Sequence, residues 1–368
     1  MKDNDTASTR ERLYSLDLLR GLDMFLLTVI GPLATAVNAV KPLPDGVARQ
    51  FHHYWGGFTL WDIIMPLFIF MCGAAMPFAL SKRMENGRAG WKYWRHVASR
   101  VALLWGLGMI AQGRLLSFDA LLINPFNNTL QAIASGYLVA ALALCVKSRK
   151  MRIAIPFALA AIYAAFLHFG GDYTIDGNAA TRLEQRALVL LTPNGSQAAA
   201  LADPGYSWWA TIPMFGAMTL CGVWATEILR SDAPPMRRFW RLVVLGAALL
   251  AGGWALSPVI PPIKHIFTLT FSAQAMGWCC LALAALYLLA DIMKLRRGTW
   301  LFILFGQTSL MAYMCHEFKG VLKKFGEMFA PGASHLFGEN AAPIAVWLAS
   351  SALLVAILHV WRTSKGKG

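Results

Sequence analysis

Charge is scarce in this chain. Only 14% of its 368 residues are Asp, Glu, Lys or Arg, against about 25% in a soluble domain. With 57% hydrophobic residues and a mean hydropathy of +0.51, this excludes an ordinary soluble globule and points to a polytopic membrane protein. Acidic residues are the scarcest, 19 against 33 Lys and Arg, for a net charge of +14. In a soluble protein that excess would suggest nucleic acid. Here the basic residues sit in short loops between apolar runs and read as topology signals, so no nucleic-acid partner is expected. The six Cys (72, 145, 221, 279, 280, 315) lie in apolar runs without metal or disulfide spacing and read as small core residues. A Walker-type loop, a dinucleotide fingerprint and paired His ligands are also lacking, which argues against ATP-driven transport and predicts no metal site. Met1 to Leu13 is polar and the first apolar run is too long for a cleaved signal peptide.

The apolar runs predict an all-α fold of about ten transmembrane helices, each near the 20 residues that a bilayer core requires. They run Leu16–Val40, Phe58–Leu80, Val97–Gly113, Thr129–Val146, Met151–Gly170, Trp208–Leu229, Phe239–Ser257, Ile266–Met293, Trp300–Glu317 and Ala342–Val360. Alternate loops and the two ends hold 23 of the 33 Lys and Arg; the opposite loops hold 9. The positive-inside pattern then places both termini in the cytoplasm. The chain reads as one transmembrane domain, with a cytoplasmic N-terminus over residues 1–15 and a cytoplasmic tail over 361–368. Its outer loop, residues 171–207, is long enough to cover an outward-facing site.

The candidate chemistry gathers on the side opposite the basic loops. Phe51-His52-His53-Tyr54-Trp55-Gly56-Gly57-Phe58-Thr59-Leu60-Trp61-Asp62 joins the first two spans. Titratable groups at membrane depth are expensive and default to a functional hypothesis. Asp62, on the first turns of its helix, could orient a loop His, the arrangement of a general base. Trp55 and Trp61 also fit an interfacial belt. Further polar groups recur at the same helix ends: Asn124, Asn127, Asn128 and Gln131, Asp203-Pro204, Lys264-His265, and His316-Glu317. At the other face, Asp17 and Arg20 lie i, i+3 on the first helix, as a neutralised pair or as the mouth of a site for an anionic, phosphate-bearing ligand.

Ser15-Leu16-Asp17-Leu18-Leu19-Arg20-Gly21 with Asp23-Met24-Phe25 resembles the opening of the heparan-α-glucosaminide N-acetyltransferase family, with a closer match to its bacterial branch, found beside N-acetylglucosamine utilisation genes. The block His52-x-x-Trp55-x-Gly57-x-Thr59-x-x-Asp62-x-x-x-Pro66-x-Phe68-x-Phe70-x-x-Gly73 is similar to that family's signature. Smaller echoes follow at Thr129-Leu130-Gln131, Asp203-Pro204-Gly205, Pro262-Ile263-Lys264 and Tyr313 with His316-Glu317. The chain departs from the family at two places. An asparagine implicated in the lysosomal enzyme's site falls near Gly31 here, and the Asn of its Trp-Asn-Gly motif is Gly56.

The resemblance implies a multi-pass acetyltransferase of the cell inner membrane. It would take acetyl from cytosolic acetyl-CoA and deliver it to the amine of glucosamine or a related amino sugar at the outer face. His52 matches the family's active-site histidine by position, with Asp62 as its orienting carboxylate. Trp55, Thr59, Asn128, Gln131, Lys264, His265 and His316 are the expected acceptor-binding residues, and Asp17 and Arg20 the expected acetyl-CoA-binding ones. The lipid bilayer is the solvent. The resemblance allows a homodimer, which no motif demonstrates. The alternative is an amino-sugar permease of the N-acetylglucosamine type, using the same polar groups without acyl transfer.

Overall fold

The computed structural model describes residues 13–85, 88–111, 126–191 and 206–365. These residues are helical apart from loops and a two-residue antiparallel pair, with Met84 opposite Ala89. In chain order the helices are α1 (Tyr14–Phe25), α2 (Gly31–Val40), α3 (Ile64–Leu80), α4 (Trp91–Ala111), α5 (Thr129–Leu144), α6 (Arg149–Gly170), α7 (Ala179–Leu191) and α8 (Ile212–Leu229). They continue with α9 (Pro235–Leu256), α10 (Leu269–Leu286), α11 (Trp300–Gln307), α12 (Ser309–Glu317), α13 (Lys319–Glu327), α14 (Ala330–Phe337) and α15 (Ala342–Lys365). A π-helical turn, Leu26–Ile30, fuses α1 to α2.

Among the described residues, seven helical stretches are long and apolar enough to cross a membrane: 14–40, 60–83, 149–170, 212–229, 235–256, 269–292 and 339–364. Each coincides with an expected span. The described residues of the other three expected spans are helical but shorter, less apolar or interrupted. Helix α5 is a short apolar helix of 16 residues. The run 300–317 breaks at Thr308, whose φ of −117° and ψ of 22° leave the helical region. Expected polar groups at Asn124 and Asp203, and Arg114 among the loop cations, lie outside the described residues.

Helices α3 and α8 form the centre, with α5 and α10 packed around them. Small residues let the backbones touch, as expected where lipid supplies no hydrophobic drive between helices. A Cβ on Gly73 of α3 would lie 1.9 Å from the Thr219 carbonyl oxygen of α8, and one on Gly222 of α8 would lie 2.0 Å from the Phe70 oxygen of α3.

The helix ends meet at two faces. At one, Asp291 caps α1 by accepting from the amides of Tyr14 and Ser15 at 3.0 Å each. Arg296 pairs with the same carboxylate at 3.6 Å, and Arg230 donates to the Pro77 carbonyl at 2.9 Å. This is the basic face. At the other, the loop before α3 meets the loop before α10: the Gly57 amide, at a φ of +109° that suits glycine, donates to Pro262 O at 2.9 Å. This is the histidine face.

Candidate functional site

The histidine-face cluster is built by two loops. Thr59 caps the turn Leu60–Ile63 in a capping box: its amide and hydroxyl each donate to Asp62 Oδ2 at 2.9 Å. The same hydroxyl lies 3.1 Å from the His52 carbonyl oxygen. The second loop is held from three sides. Tyr163 donates to Ile266 O at 2.7 Å, the Ser207 amide to His265 O at 3.0 Å, and the Ile263 amide to Thr268 Oγ1 at 3.0 Å. Phe267 closes that turn at a φ of +43°, rare for a bulky residue, while its ring packs edge-on to Phe215 and Phe271.

These loops bring His53, Asp62 and Lys264 together. His53 Nδ1 is 2.6 Å from Asp62 Oδ1. Lys264 Nζ is 3.5 Å from that oxygen and 3.1 Å from each ring nitrogen of His53. Asp62 is 2% exposed and Lys264 6%, while the His53 side chain keeps 33% of its surface. The pairing orients the imidazole: with Nδ1–H donating to the carboxylate, Nε2 carries the lone pair. Burial lowers the Lys264 pKa to about 8, against the attraction of Asp62. Burial, with Lys264 and His53 nearby, lowers that of His265 to about 4, so His265 is neutral near pH 7.

The expectation that Asp62 orients His52 is corrected: it orients His53. His52 is exposed, with an extended backbone at φ −113° and ψ 150°. Successive side chains of an extended chain point to opposite sides, so only one of two adjacent His can reach the carboxylate.

Two cavities flank the centre of the bundle. The one at the histidine face, about 470 Å³, is lined by His53, Lys264, Asn128, His316, Glu317 and Tyr206, with Trp61, Trp208, Tyr313 and Phe68 among its other walls. The one reaching the basic face, about 560 Å³, is lined by Arg20, Arg100, His96, Cys72 and a methionine-rich wall including Met24, Met71, Met76 and Met311. The His96 Nε2 atom is buried there without a hydrogen-bond partner among the described residues. Phe68, Thr129 and Tyr313 line both cavities.

The expected acceptor-binding residues divide. Lys264, His316 and Asn128 line the histidine-face cavity, and Asn128 also caps α5 by accepting from the Leu130 amide at 2.8 Å. The rest are placed differently. Thr59 is buried beneath Asp62. Gln131 is fully buried and accepts from the Asn127 amide at 2.7 Å. Trp55 donates to Tyr173 O at 2.9 Å and stacks on His265 at 5.2 Å, so both brace the wall from behind. Arg20 lines the basic-face cavity; Asp17 stands 3.8 Å behind it as its counter-charge. Glu317 and Tyr313, noted in the sequence without a role, line the histidine-face cavity; Tyr206 and Trp208 were not among the expected site residues, nor were His96 and Arg100, whose i, i+4 spacing on α4 was a legible signal.

Helix α7 is clamped to this wall. Glu184 on α7 is 8% exposed and accepts from Ser207 Oγ and from the amides of Trp208, Trp209 and Ala210, ahead of α8. Burial raises its carboxyl pKa against these hydrogen bonds. Among the described residues, no group of three or more His, Cys, Asp and Glu could hold a metal ion.

A family model described as a domain of unknown function, DUF5009, matches residues 12–168. The matched stretch carries His53, Asp62, Phe68 and Asn128 and stops short of Lys264 and Tyr313. No curated protein matches the chain.

Proposed function

We propose that this protein is a transmembrane acetyltransferase that carries acetyl from acetyl-CoA at the basic face to the amine of glucosamine or a related amino sugar at the histidine face. One observation carries the reading. Cavities reaching the two faces share the walls Phe68, Thr129 and Tyr313, with cations in one and an oriented histidine in the other. The ten expected spans, counting α4, α5 and the broken α11–α12 as crossings, put the basic face in the cytoplasm by the positive-inside rule. The location is then an inner membrane.

The residues present fit the donor. Arg20, Arg100 and the unpartnered His96 Nε2 suit phosphate oxygens. The flexible methionine wall suits a narrow apolar arm. A thioester advanced to the shared wall would meet an amine held in the opposite cavity by Glu317 and His316, with Tyr206 and Trp208 supplying faces for a sugar ring.

In the reaction, the amine nitrogen attacks the thioester carbon and the carbonyl electrons move onto oxygen. His53 Nε2 takes the proton from the attacking nitrogen, and Asp62 steadies the imidazolium. The Lys264 ammonium stands on the cavity wall as a donor for the oxyanion. Collapse breaks the C–S bond, and the thiolate leaves with the proton that His53 returns. Direct transfer needs no acetyl-histidine.

The test is titration of acetyl-CoA against purified protein, with glucosamine added and N-acetyl product assayed. Binding with product formation is expected. Folded protein that binds no acetyl-CoA, yet carries amino sugar into liposomes, would replace this reading with a permease.

A further inference from the structure

The wall between the two cavities is thin and asymmetric. Phe68 of α3 and Tyr313 of α12 meet edge to face, with ring centroids 6.2 Å apart and planes at 83°. The Tyr313 hydroxyl lies 3.4 Å from Asn128 Oδ1, and Glu317 stands beside it. Phe68 is half-buried and has no polar tether, so it is the freer of the two rings.

Helix α12 is built to present this wall. It is nine residues long and bounded by Thr308 (φ −117°, ψ 22°) and Phe318 (φ −90°, ψ 30°), both off the helical conformation. Its Ser309, Leu310, Met311 and Met314 line the basic-face cavity, and its His316 and Glu317 line the other. One short rod between two joints therefore serves both sides, and Tyr313 is its point of contact with Phe68.

We infer that Phe68 and Tyr313 are the specificity-determining pair for the acyl group. The space opened when the Phe68 ring turns away from Tyr313 passes a two-carbon acyl thioester and rejects longer chains. This rests on the acyltransferase reading. A group crossing from one cavity to the other must pass the residues common to both. Thr129, the third of them, is small, so the rings set the bore. With the rings together the cavities are separate, which keeps water away from the thioester until the acceptor side is ready. An acyl chain longer by two carbons has to hold the rings further apart, against a wall close-packed on its far side.

The experiment has two arms. The first needs no catalysis. Cys72 is a buried residue that lines the basic-face cavity one helical turn from Phe68, whereas Cys221, Cys279 and Cys280 are buried and line neither cavity. In a Cys145→Ala, Cys315→Ala background in oriented proteoliposomes, an anionic, membrane-impermeant thiosulfonate is added from either side. Cys72 should label from the basic face in every protein. From the histidine face it should label at least tenfold faster in Phe68→Ala than with Phe68 present, and Phe68→Leu should fall between. Equal labelling from the histidine face with and without Phe68 would overturn the partition.

The second arm is the ratio of butyryl to acetyl transfer, which loss of folded protein does not change. Phe68→Ala should raise it at least tenfold, and Phe68→Leu less. An unchanged ratio in a transferring enzyme would overturn the selectivity role. Wild-type protein that transfers no acyl group at all would instead defeat the acyltransferase reading, leaving the first arm to decide the partition by itself.

Discussion

The two cavities differ in how their polar atoms are held. At the histidine face Asp62 has both oxygens engaged: two donors from Thr59 on one, His53 and Lys264 on the other. At the basic face Arg20 and Arg100 stand on a wall of methionine and leucine, with Asp17 near one of them and the His96 Nε2 unpartnered. The first is a fixed constellation on rigid loops, suited to a reaction that tolerates little displacement. The second is a charged mouth with an adaptable apolar throat, suited to gripping an anion that carries a long arm. On the proposed function, chemistry and capture are separated by the thickness of two rings.

The sharpest break comes from Asp62. Asp62→Ala leaves the Thr59 donors unmatched and the buried Lys264 uncompensated, and should cost about 3–5 kcal/mol of stability, read by thermal unfolding in detergent, together with all measurable transfer. His53→Ala should keep the fold, because the ring is a third exposed, and lower turnover about 10²–10⁴-fold.

Arg20→Ala and Arg100→Ala belong to the other cavity. Each should raise the KM for acetyl-CoA about tenfold, from the loss of a charge-assisted contact of roughly 1.5 kcal/mol, with kcat little changed. A fall in kcat equal to that in kcat/KM would merge the two roles that the comparison separates.

Lys264 supplies a pH test. Its folded pKa of about 8 lies below the free value near 10.4. Between those values the unfolded chain binds more protons, so Lys264 adds stability as pH rises through that window; below about pH 8 both states are protonated and the buried cation is a cost. Transfer that needs the ammonium should fall above about pH 8. Lys264→Arg, which stays charged, should remove that limb where it is tolerated, as a pH–rate profile would show.

The smallest effect is Glu184→Gln, which weakens the clamp behind Tyr206 and Trp208. A loss of about 1–2 kcal/mol is expected, with a raised KM for the sugar acceptor and an unchanged KM for acetyl-CoA.

The helices were legible because long apolar runs leave little alternative at membrane depth. So were the carboxylate at the start of the second span and the Lys264 loop. The choice between His52 and His53 was not, because it depends on the Thr59 hydroxyl beside the His52 carbonyl and on the Gly57 turn pinned to Pro262, contacts made only in the folded loop. Gln131 looked like a ligand-binding amide; it is buried away from both cavities, and its oxygen accepts from a backbone amide four residues away. Tyr313 stood out only through its family echo, because its place on the cavity wall depends on the helix break at Thr308, inside an apolar run. At Gly31, where the resembled family places an asparagine nearby, the Trp61 ring fills the space: a Cβ there would lie 1.9 Å from Trp61 Cη2.

The most direct measurement is acetyl transfer from acetyl-CoA to glucosamine by wild type, His53→Ala and His52→Ala at matched amounts of folded protein. Transfer that survives in His52→Ala within about twofold and drops at least 10²-fold in His53→Ala is the predicted result. Transfer abolished by His52→Ala and retained by His53→Ala would contradict the assignment of the base, and with it the mechanism built on the His53–Asp62 pair.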